Sequence, residues 1–236
     1  MASPRTELKE DAIKLMIGIL QSAKDPEHIF KHAKYLAITN KSELQQQAFK
    51  QLLDHPQLQP LIEERFAIPW PSLDEMSAMP KGSLGFCMQQ RQRSLDLDPL
   101  PIPSPTTDNK EDYVLYRIGT CHDLIHLVLG LPNTVAGEAA ASAYNSITKK
   151  MPFHVGALGM WLTHGLIEPE EHRMIWEGIC FGARIGFDGL LLDAYRWEEG
   201  WERPLEEWRA ELGLLPLLEQ SPFQDEVHRW EALSPG

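Results

Sequence analysis

The sequence predicts an all-α fold, a single-domain helical bundle, on three observations. Helix start signals recur along the chain, and apolar residues between them follow helical spacing, as in Leu44, Ala48 and Leu52. No run of alternating β-branched residues bounded by turn residues occurs. Helices should therefore account for nearly all of the regular structure.

The individual helices are predicted from their start signals. A proline in the first turn has no amide proton to lose, and a preceding Ser, Thr, Asp or Asn caps exposed backbone donors. In chain order, the signals are Ser3 with Pro4, Asp25 with Pro26, Asn40 before Ser42, Ser72, Thr134, Met151 with Pro152, Glu168 with Pro169, and Pro204.

One segment, 95–109, has four prolines and no helical register. We interpret it as a loop laid over the body of the protein, because residues 1–94 look too polar to close a core alone. A chain of 236 residues is long enough to bury a substantial core. A single domain over residues 1–236 is expected.

Composition excludes several classes of partner. The chain has 22 Lys and Arg against 34 Asp and Glu, a net charge of −12, which opposes binding to nucleic acid. The same charge opposes simple adhesion to anionic lipid, although a local apolar patch could still touch a membrane. Three scattered cysteines, Cys87, Cys121 and Cys180, suit a reducing compartment. With no export signal, organelle signal or membrane-spanning run evident, a cytoplasmic location is expected.

Residue types that can bind a metal are concentrated in the segment 120–138, TCHDLIHLVLGLPNTVAGE. At about 100° per residue, His122, Asp123 and His126 project from one arc of a helix roughly 100° wide. The opposite side of this helix carries apolar residues. The pattern predicts a helix that is apolar behind and carries metal-binding residue types in front.

The same segment predicts a hairpin of two helices. Gly130 and Pro132 end the first helix, and Thr134 caps the next one. His126 lies four residues before Gly130, and Glu138 lies four after Thr134, so both are about 6 Å from the hairpin end. Glu138 can therefore close a site formed by His122, Asp123 and His126.

Two imidazoles and two carboxylates suit Zn²⁺, Mn²⁺, Fe²⁺ or Co²⁺ better than Ca²⁺ or Mg²⁺. We rank zinc first, with manganese, iron, cobalt and magnesium as alternatives. The competing interpretation is a buried hydrogen-bonded network or a solvated polar face.

Several glycines are candidate substrate-binding residues. Gly119 and Gly130 lie on the ligand arc, where they would leave room for a substrate, and Gly182 and Gly186 continue a stripe that starts at Gly178. Such a stripe can leave a groove for a long apolar ligand. Close packing of helices is the alternative, since glycine also lets backbones approach.

Two larger side chains complete the candidate substrate site. Arg184 lies in an otherwise apolar helix, so its charge needs a partner, either an anionic ligand group or Asp188 four residues on. Trp161 lies in the apolar run 151–166, which is more typical of a core than of a ligand pocket.

These motifs together resemble the coenzyme Q (ubiquinone) biosynthesis protein 4 family. The signature is His122-Asp123-x-x-His126, eleven residues, then Glu138. MPKGSLG at 79–85, GLPNTVAGE at 130–138, the pair Arg184 and Gly186, and EEWRAELG at 206–213 are similar as well. The resemblance covers about residues 75–213.

The resemblance implies an all-α protein of quinone biosynthesis with a bound divalent metal and an apolar tunnel for a polyprenyl chain. It implies a peripheral membrane protein that works beside other quinone-biosynthesis enzymes and carries out oxidative decarboxylation of a prenylated hydroxybenzoate. His122, Asp123, His126 and Glu138 would hold the metal. Oligomerisation is left open, a homodimer included.

Two rival functions remain at this point. The chain could be a non-catalytic scaffold that binds a prenyl lipid and keeps its metal for structure. It could also be a phosphohydrolase with a His-Asp metal site, whose further ligands would come from His28, His32, Asp188 and Asp193. In that case Glu138 would have no role.

Overall fold

The computed structural model describes residues 14, 16–24, 42–94 and 109–231. In these ranges the regular structure is helical, apart from one isolated bridge between Ser83 and Pro204. The helices are α1 (16–24), α2 (Glu43–Leu53), α3 (Gln59–Glu64), α4 (Leu73–Ser77), α5 (Leu84–Ser94), α6 (Lys110–Leu129), α7 (Val135–Thr148), α8 (Pro152–Ile167), α9 (His172–Phe187), α10 (Leu205–Glu211), α11 (Leu215–Leu218) and α12 (Gln224–Glu231). The all-α prediction is confirmed.

Most predicted helix starts within the described ranges coincide with helix caps. Ser72 forms a capping box with Glu75 at α4, Thr134 accepts the Gly137 amide at α7, and Pro152 opens α8. The signal at Glu168 and Pro169 is early by about a turn, because residues 169–171 form a turn before α9 begins. The signals at Ser3, Asp25 and Asn40 lie outside the described residues, as does the proline-rich segment up to residue 108.

Residue contacts divide the chain into two compact units, one of 1–50 with 134–189 and the other of 51–133 with 190–236. The predicted single-domain organisation is not tested by this division. In the first unit, α7 packs most extensively against α9 and also against α8. The Trp161 indole donates a 3.0 Å hydrogen bond to the Ser142 hydroxyl, which ties α8 to α7.

The second unit is built around α6. This helix contacts α3, α5, α10 and a short 3-10 turn at Leu192–Ala194. The Tyr113 hydroxyl of α6 donates a 2.7 Å hydrogen bond to the Phe66 carbonyl. Trp197 is fully buried in the same unit and packs against Trp208, with ring centroids 4.7 Å apart and ring planes tilted by 53°.

Candidate metal centre

The two histidines of α6 lie side by side. The centroids of their rings are 4.8 Å apart, and the ring planes make an angle of 63°. His122 is partly exposed, whereas His126 is only 1% exposed. The four-residue spacing places both imidazoles on one face of the helix, as helical periodicity predicts.

The C-terminal end of α6 fixes His126 in place. Gly130 adopts a left-handed conformation with φ of 61°, its amide donates to the Leu127 carbonyl, and the Leu131 amide donates to the His126 carbonyl at 2.8 Å. This pair of bonds is a Schellman motif. The Nδ1 atom of His126 lies 3.3 Å from the Leu131 carbonyl oxygen. His126 and Leu131 are therefore joined through both backbone and side chain.

Glu138 lies in the first turn of α7, one turn after the Thr134 cap. The ligand atoms of His122, His126 and Glu138 all lie within 4.8 Å of one another. Asp123, which is partly exposed, is not a member of this group. Three of the four predicted metal ligands are thus brought together.

The donor set is of the kind that binds transition metals. Two imidazole nitrogens and a carboxylate oxygen suit zinc and its neighbours in the first transition row. A histidine that binds a metal usually donates its second ring N–H to a carbonyl or carboxylate. His126 meets this condition through the Leu131 carbonyl, so the residues fit a metal of this class.

The glycines near the histidines have different surroundings. A Cβ atom built on Gly130 would lie 2.6 Å from the Val227 side chain, so Gly130 serves both the helix cap and a close contact with α12. Gly119 is partly exposed within α6. The structure thus supplies a packing reason for Gly130, and the substrate roles of both glycines stay predictions.

The glycines of α9 let this helix approach α7. A Cβ atom on Gly182 would lie 2.0 Å from the Ala140 carbonyl oxygen, and one on Gly186 would lie 3.0 Å from Ile147. Atoms of α7 fill the space beside both glycines, which favours close helix packing as the role of Gly182 and Gly186. Trp161 is buried, as expected for the core, and Arg184 lies exposed in the last turn of α9.

Arg117 belongs to a buried ion pair in the second unit. Its guanidinium pairs with the fully buried Glu198 carboxylate and donates to the carbonyls of Asp193 and Tyr195, at 3.3 and 2.7 Å. Burial alone would lower the pKa of Arg117, but Cys121 and Glu198 raise it above the ordinary arginine value. Arg117 therefore stays charged and acts as a structural donor in the second unit.

Two arginines that donate to carbonyls at and just after the end of α6 were not singled out from the sequence. Arg209 donates to the carbonyls of Val128 and Leu127, at 3.2 Å each. Arg91 donates to the Leu131 carbonyl at 3.3 Å and pairs with Glu226 at 3.4 Å. Arg209 lies four residues after the buried Leu205, a spacing that places an arginine on the inner face of α10 and could have identified it.

The fold and the site together define an all-α protein with a cluster of two histidines and a glutamate borne on helices. The sequence pattern of the family described as coenzyme Q (ubiquinone) biosynthesis protein Coq4 matches residues 6–217. The chain belongs to this family. The match begins well before residue 75, where the motif resemblance begins.

Individual relatives agree with the family assignment. The ubiquinone biosynthesis protein coq4, mitochondrial, of Talaromyces stipitatus is 33% identical over 122 residues, which cover 52% of this chain and 40% of the relative. The homologue of Drosophila ananassae is 31% identical over 111 residues, covering 47% of this chain and 41% of the relative. The matched segments thus span about two fifths of these relatives.

A solved structure shares the fold. A Nostoc punctiforme protein assigned to ubiquinone biosynthesis superposes with a TM-score of 0.73 and 20% sequence identity, covering 88% of this chain and 98% of that one. At this identity the likeness concerns the fold alone.

In the described part of the chain, no helix has the length and apolar character needed to cross a bilayer. The relatives from Talaromyces and Drosophila are named as mitochondrial proteins. The expected cytoplasmic location does not match these names and is withdrawn. Short targeting signals are read by receptors, so the composition of a chain's body says little about its destination.

Proposed function

We propose that this protein serves ubiquinone biosynthesis by binding a polyprenylated aromatic or isoprenoid lipid beside a divalent metal. Family membership supports the role in ubiquinone biosynthesis. The proximity of the ligand atoms of His122, His126 and Glu138 supports the binding of a metal. Zinc is the preferred ion for this donor set. Asp123 is the fourth ligand in the proposal, entering as the metal is bound.

The proposed chemistry is oxidative decarboxylation of a prenylated hydroxybenzoate. The ring carbon loses its carboxylate as carbon dioxide and gains a hydroxyl oxygen, so the reaction needs an oxidant such as dioxygen. When bound, the metal would polarise the carboxylate and phenol of the head group and stabilise negative charge. The chain's own residues orient the head group and keep the ligand nitrogens in place.

An acidic protein needs a local cation to hold an acidic head group. The net charge of −12 repels anions at long range. Arg184 is the proposed cation, because the alternative, Arg117, is engaged by Glu198 and two carbonyls in a buried network. An arginine contact to a carboxylate or phosphate is charge-assisted and strong.

Exposed apolar side chains in the first unit support contact with a membrane surface. Leu166 of α8 is 74% exposed, and Phe187 at the end of α9 is 78% exposed. Trp176 of α9 is also exposed, and indole rings favour the interface between lipid and water. Substrates with polyprenyl chains reside in membranes, so a peripheral contact would serve their capture. Other enzymes of the same pathway are the proposed protein partners.

The metal is tested with His126→Ala. Metal content by elemental analysis should fall from about one ion per chain to near none, because a nitrogen ligand is lost. The helix should persist, since alanine is the better helix former. His172→Ala removes an exposed histidine of α9 and serves as the control. Unchanged metal content in His126→Ala would rule out this site.

The lipid and the chemistry are tested together. Mass spectrometry should find a prenylated precursor that copurifies with the metal-loaded protein, and turnover of a prenylated hydroxybenzoate should release carbon dioxide. Lipid binding without turnover, with metal loss that unfolds the chain, would favour the scaffold function. Hydrolysis of phosphate esters would favour the His-Asp phosphohydrolase, whose candidate ligands His28 and His32 lie outside the described residues.

A further inference from the structure

The Leu131 carbonyl is the acceptor that orients His126. A carbonyl oxygen only accepts hydrogen bonds, so a hydrogen bond with the Nδ1 atom 3.3 Å away requires the proton to be on Nδ1. In a neutral imidazole the other nitrogen, Nε2, then presents its lone pair. A fixed Leu131 carbonyl thereby selects which nitrogen of His126 is offered to a metal.

Leu131 lies beyond the end of α6, where a carbonyl has no partner from the helix itself. The buried Arg91 guanidinium supplies one, with Nη1 3.3 Å from the Leu131 oxygen. The same nitrogen lies 3.4 Å from the Glu226 carboxylate of α12, whose side chain is 12% exposed. Arg91 thus contacts both the Glu226 carboxylate and the Leu131 carbonyl, which also lies next to Nδ1 of His126.

We propose that Arg91, anchored by Glu226, is a positioning residue that sets the tautomer and orientation of His126 through the Leu131 carbonyl. The proposal rests on the proposed function, since it concerns how His126 meets the metal. Arg209 supports the same helix end, because it donates to the carbonyls of Leu127 and Val128 from a buried position. A cation at the C-terminal end of a helix also meets the negative end of the dipole.

The first measurement is made on the parent protein without metal. The sample is ¹⁵N-labelled, metal-free protein at a mildly alkaline pH. A long-range ¹H–¹⁵N spectrum distinguishes protonated from bare ring nitrogens, and His126→Ala assigns the signals. We expect a proton on Nδ1 of His126. A proton on Nε2 instead would overturn the proposal, whatever the variants do.

The second measurement uses Arg91→Met, which removes the guanidinium and keeps an apolar chain of similar length. We expect mixed tautomers of His126 and a tenfold to hundredfold loss of zinc affinity, the usual cost of disturbing a residue behind a metal ligand. Arg91→Lys should recover part of both. Arg93→Met is the matched control: Arg93 lies two residues away on α5, is half exposed and pairs with Asp74.

The outcomes separate this proposal from the proposed function. A folded Arg91→Met protein with the parent's tautomer and the parent's zinc affinity would overturn the positioning role. If Arg91→Met shows mixed tautomers and the parent does not bind zinc, the metal function is contradicted. The positioning of the His126 ring by Arg91 would still be supported.

Discussion

The polar side chains on the two sides of α6 have different surroundings. On one side, Arg117 is fully buried, and its charge is met by Glu198 and by two backbone carbonyls of the segment 190–199. On the side carrying the histidines, nitrogen and oxygen donors of His122, His126 and Glu138 gather within 4.8 Å. The first arrangement pairs opposite charges within the protein, and the second has the composition of a metal site.

One helix can thus carry polar groups that stabilise the fold and polar groups that are proposed to bind a ligand. A buried arginine that meets a buried carboxylate stabilises the fold only while both partners are present. A cluster of imidazole and carboxylate donors contributes little to the stability of the fold by itself, and its proposed purpose is to bind a metal.

The largest effect is expected when the buried pair is broken. Glu198→Ala should lower the free energy of unfolding by about 3–5 kcal/mol, because it leaves the Arg117 charge buried without its carboxylate. Urea denaturation measures this loss. The control is Glu177→Ala, which removes an exposed pair with Arg173 and should cost less than about 1 kcal/mol.

The pair can also be replaced as a whole. The double variant Arg117→Met, Glu198→Leu should recover most of the lost stability, because no buried charge remains. Equal losses in Glu198→Ala and Glu177→Ala would contradict the structural role assigned to this side of α6.

The next effect concerns a glycine for which the sequence allows two roles. Gly182→Ala should destabilise the protein by about 1–3 kcal/mol, because the new methyl group meets the Ala140 backbone at 2.0 Å. Gly159→Ala in α8 is the control, since a methyl there lies 3.6 Å from Ile19. Alanine also favours the helix, so the control should be neutral or more stable by up to about 1 kcal/mol.

Thermal unfolding of the two glycine variants decides between packing and a groove. If Gly182→Ala melts with the parent while a prenyl ligand no longer binds, the groove interpretation is correct and the close approach of α7 and α9 is not needed for stability.

Local rules predicted the helices and the position of the histidines well. The capping residues Ser72 and Thr134 and the four-residue spacing of His122 and His126 act within a few residues, so the sequence shows them directly. The partners of the helix end are distant in sequence. Arg91 meets the carbonyl of Leu131 forty residues away, and Arg209 meets that of Leu127 over eighty residues away. No periodicity reports such contacts, which depend on tertiary packing.

The glycine stripe shows a different limit of sequence reasoning. The spacing of Gly178, Gly182 and Gly186 identifies a face that needs small residues, but packing and ligand binding need the same residues there. The position of the Ala140 backbone against Gly182 favours packing, and the Gly182→Ala variant tests it. The same ambiguity does not arise for Gly130, because its positive φ already demands glycine.

A smaller effect is expected at the proposed anion contact. Arg184→Ala should weaken binding of a prenyl monophosphate or a prenylated hydroxybenzoate tenfold to hundredfold, because a charge-assisted hydrogen bond contributes about 1.5–3 kcal/mol. Arg173→Ala, at an exposed arginine of the same helix, is the control. Calorimetric titration compares them, and equal affinity of Arg184→Ala and the parent would show that Arg184 serves the fold instead.

The smallest effect is expected at Asp123, which the sequence places among the ligands but which lies outside the gathered group. Glu138→Gln replaces a charged oxygen donor that lies within 4.8 Å of both histidine ligand atoms, so zinc affinity should fall about a hundredfold. Asp123→Asn should cost less than about tenfold, since its carboxylate must first move to reach the metal. Both variants keep size and shape, so competition with a chelator of known affinity compares them directly. Equal losses would make Asp123 a full ligand and restore the four-residue site; a loss at Asp123 alone would contradict the part assigned to Glu138.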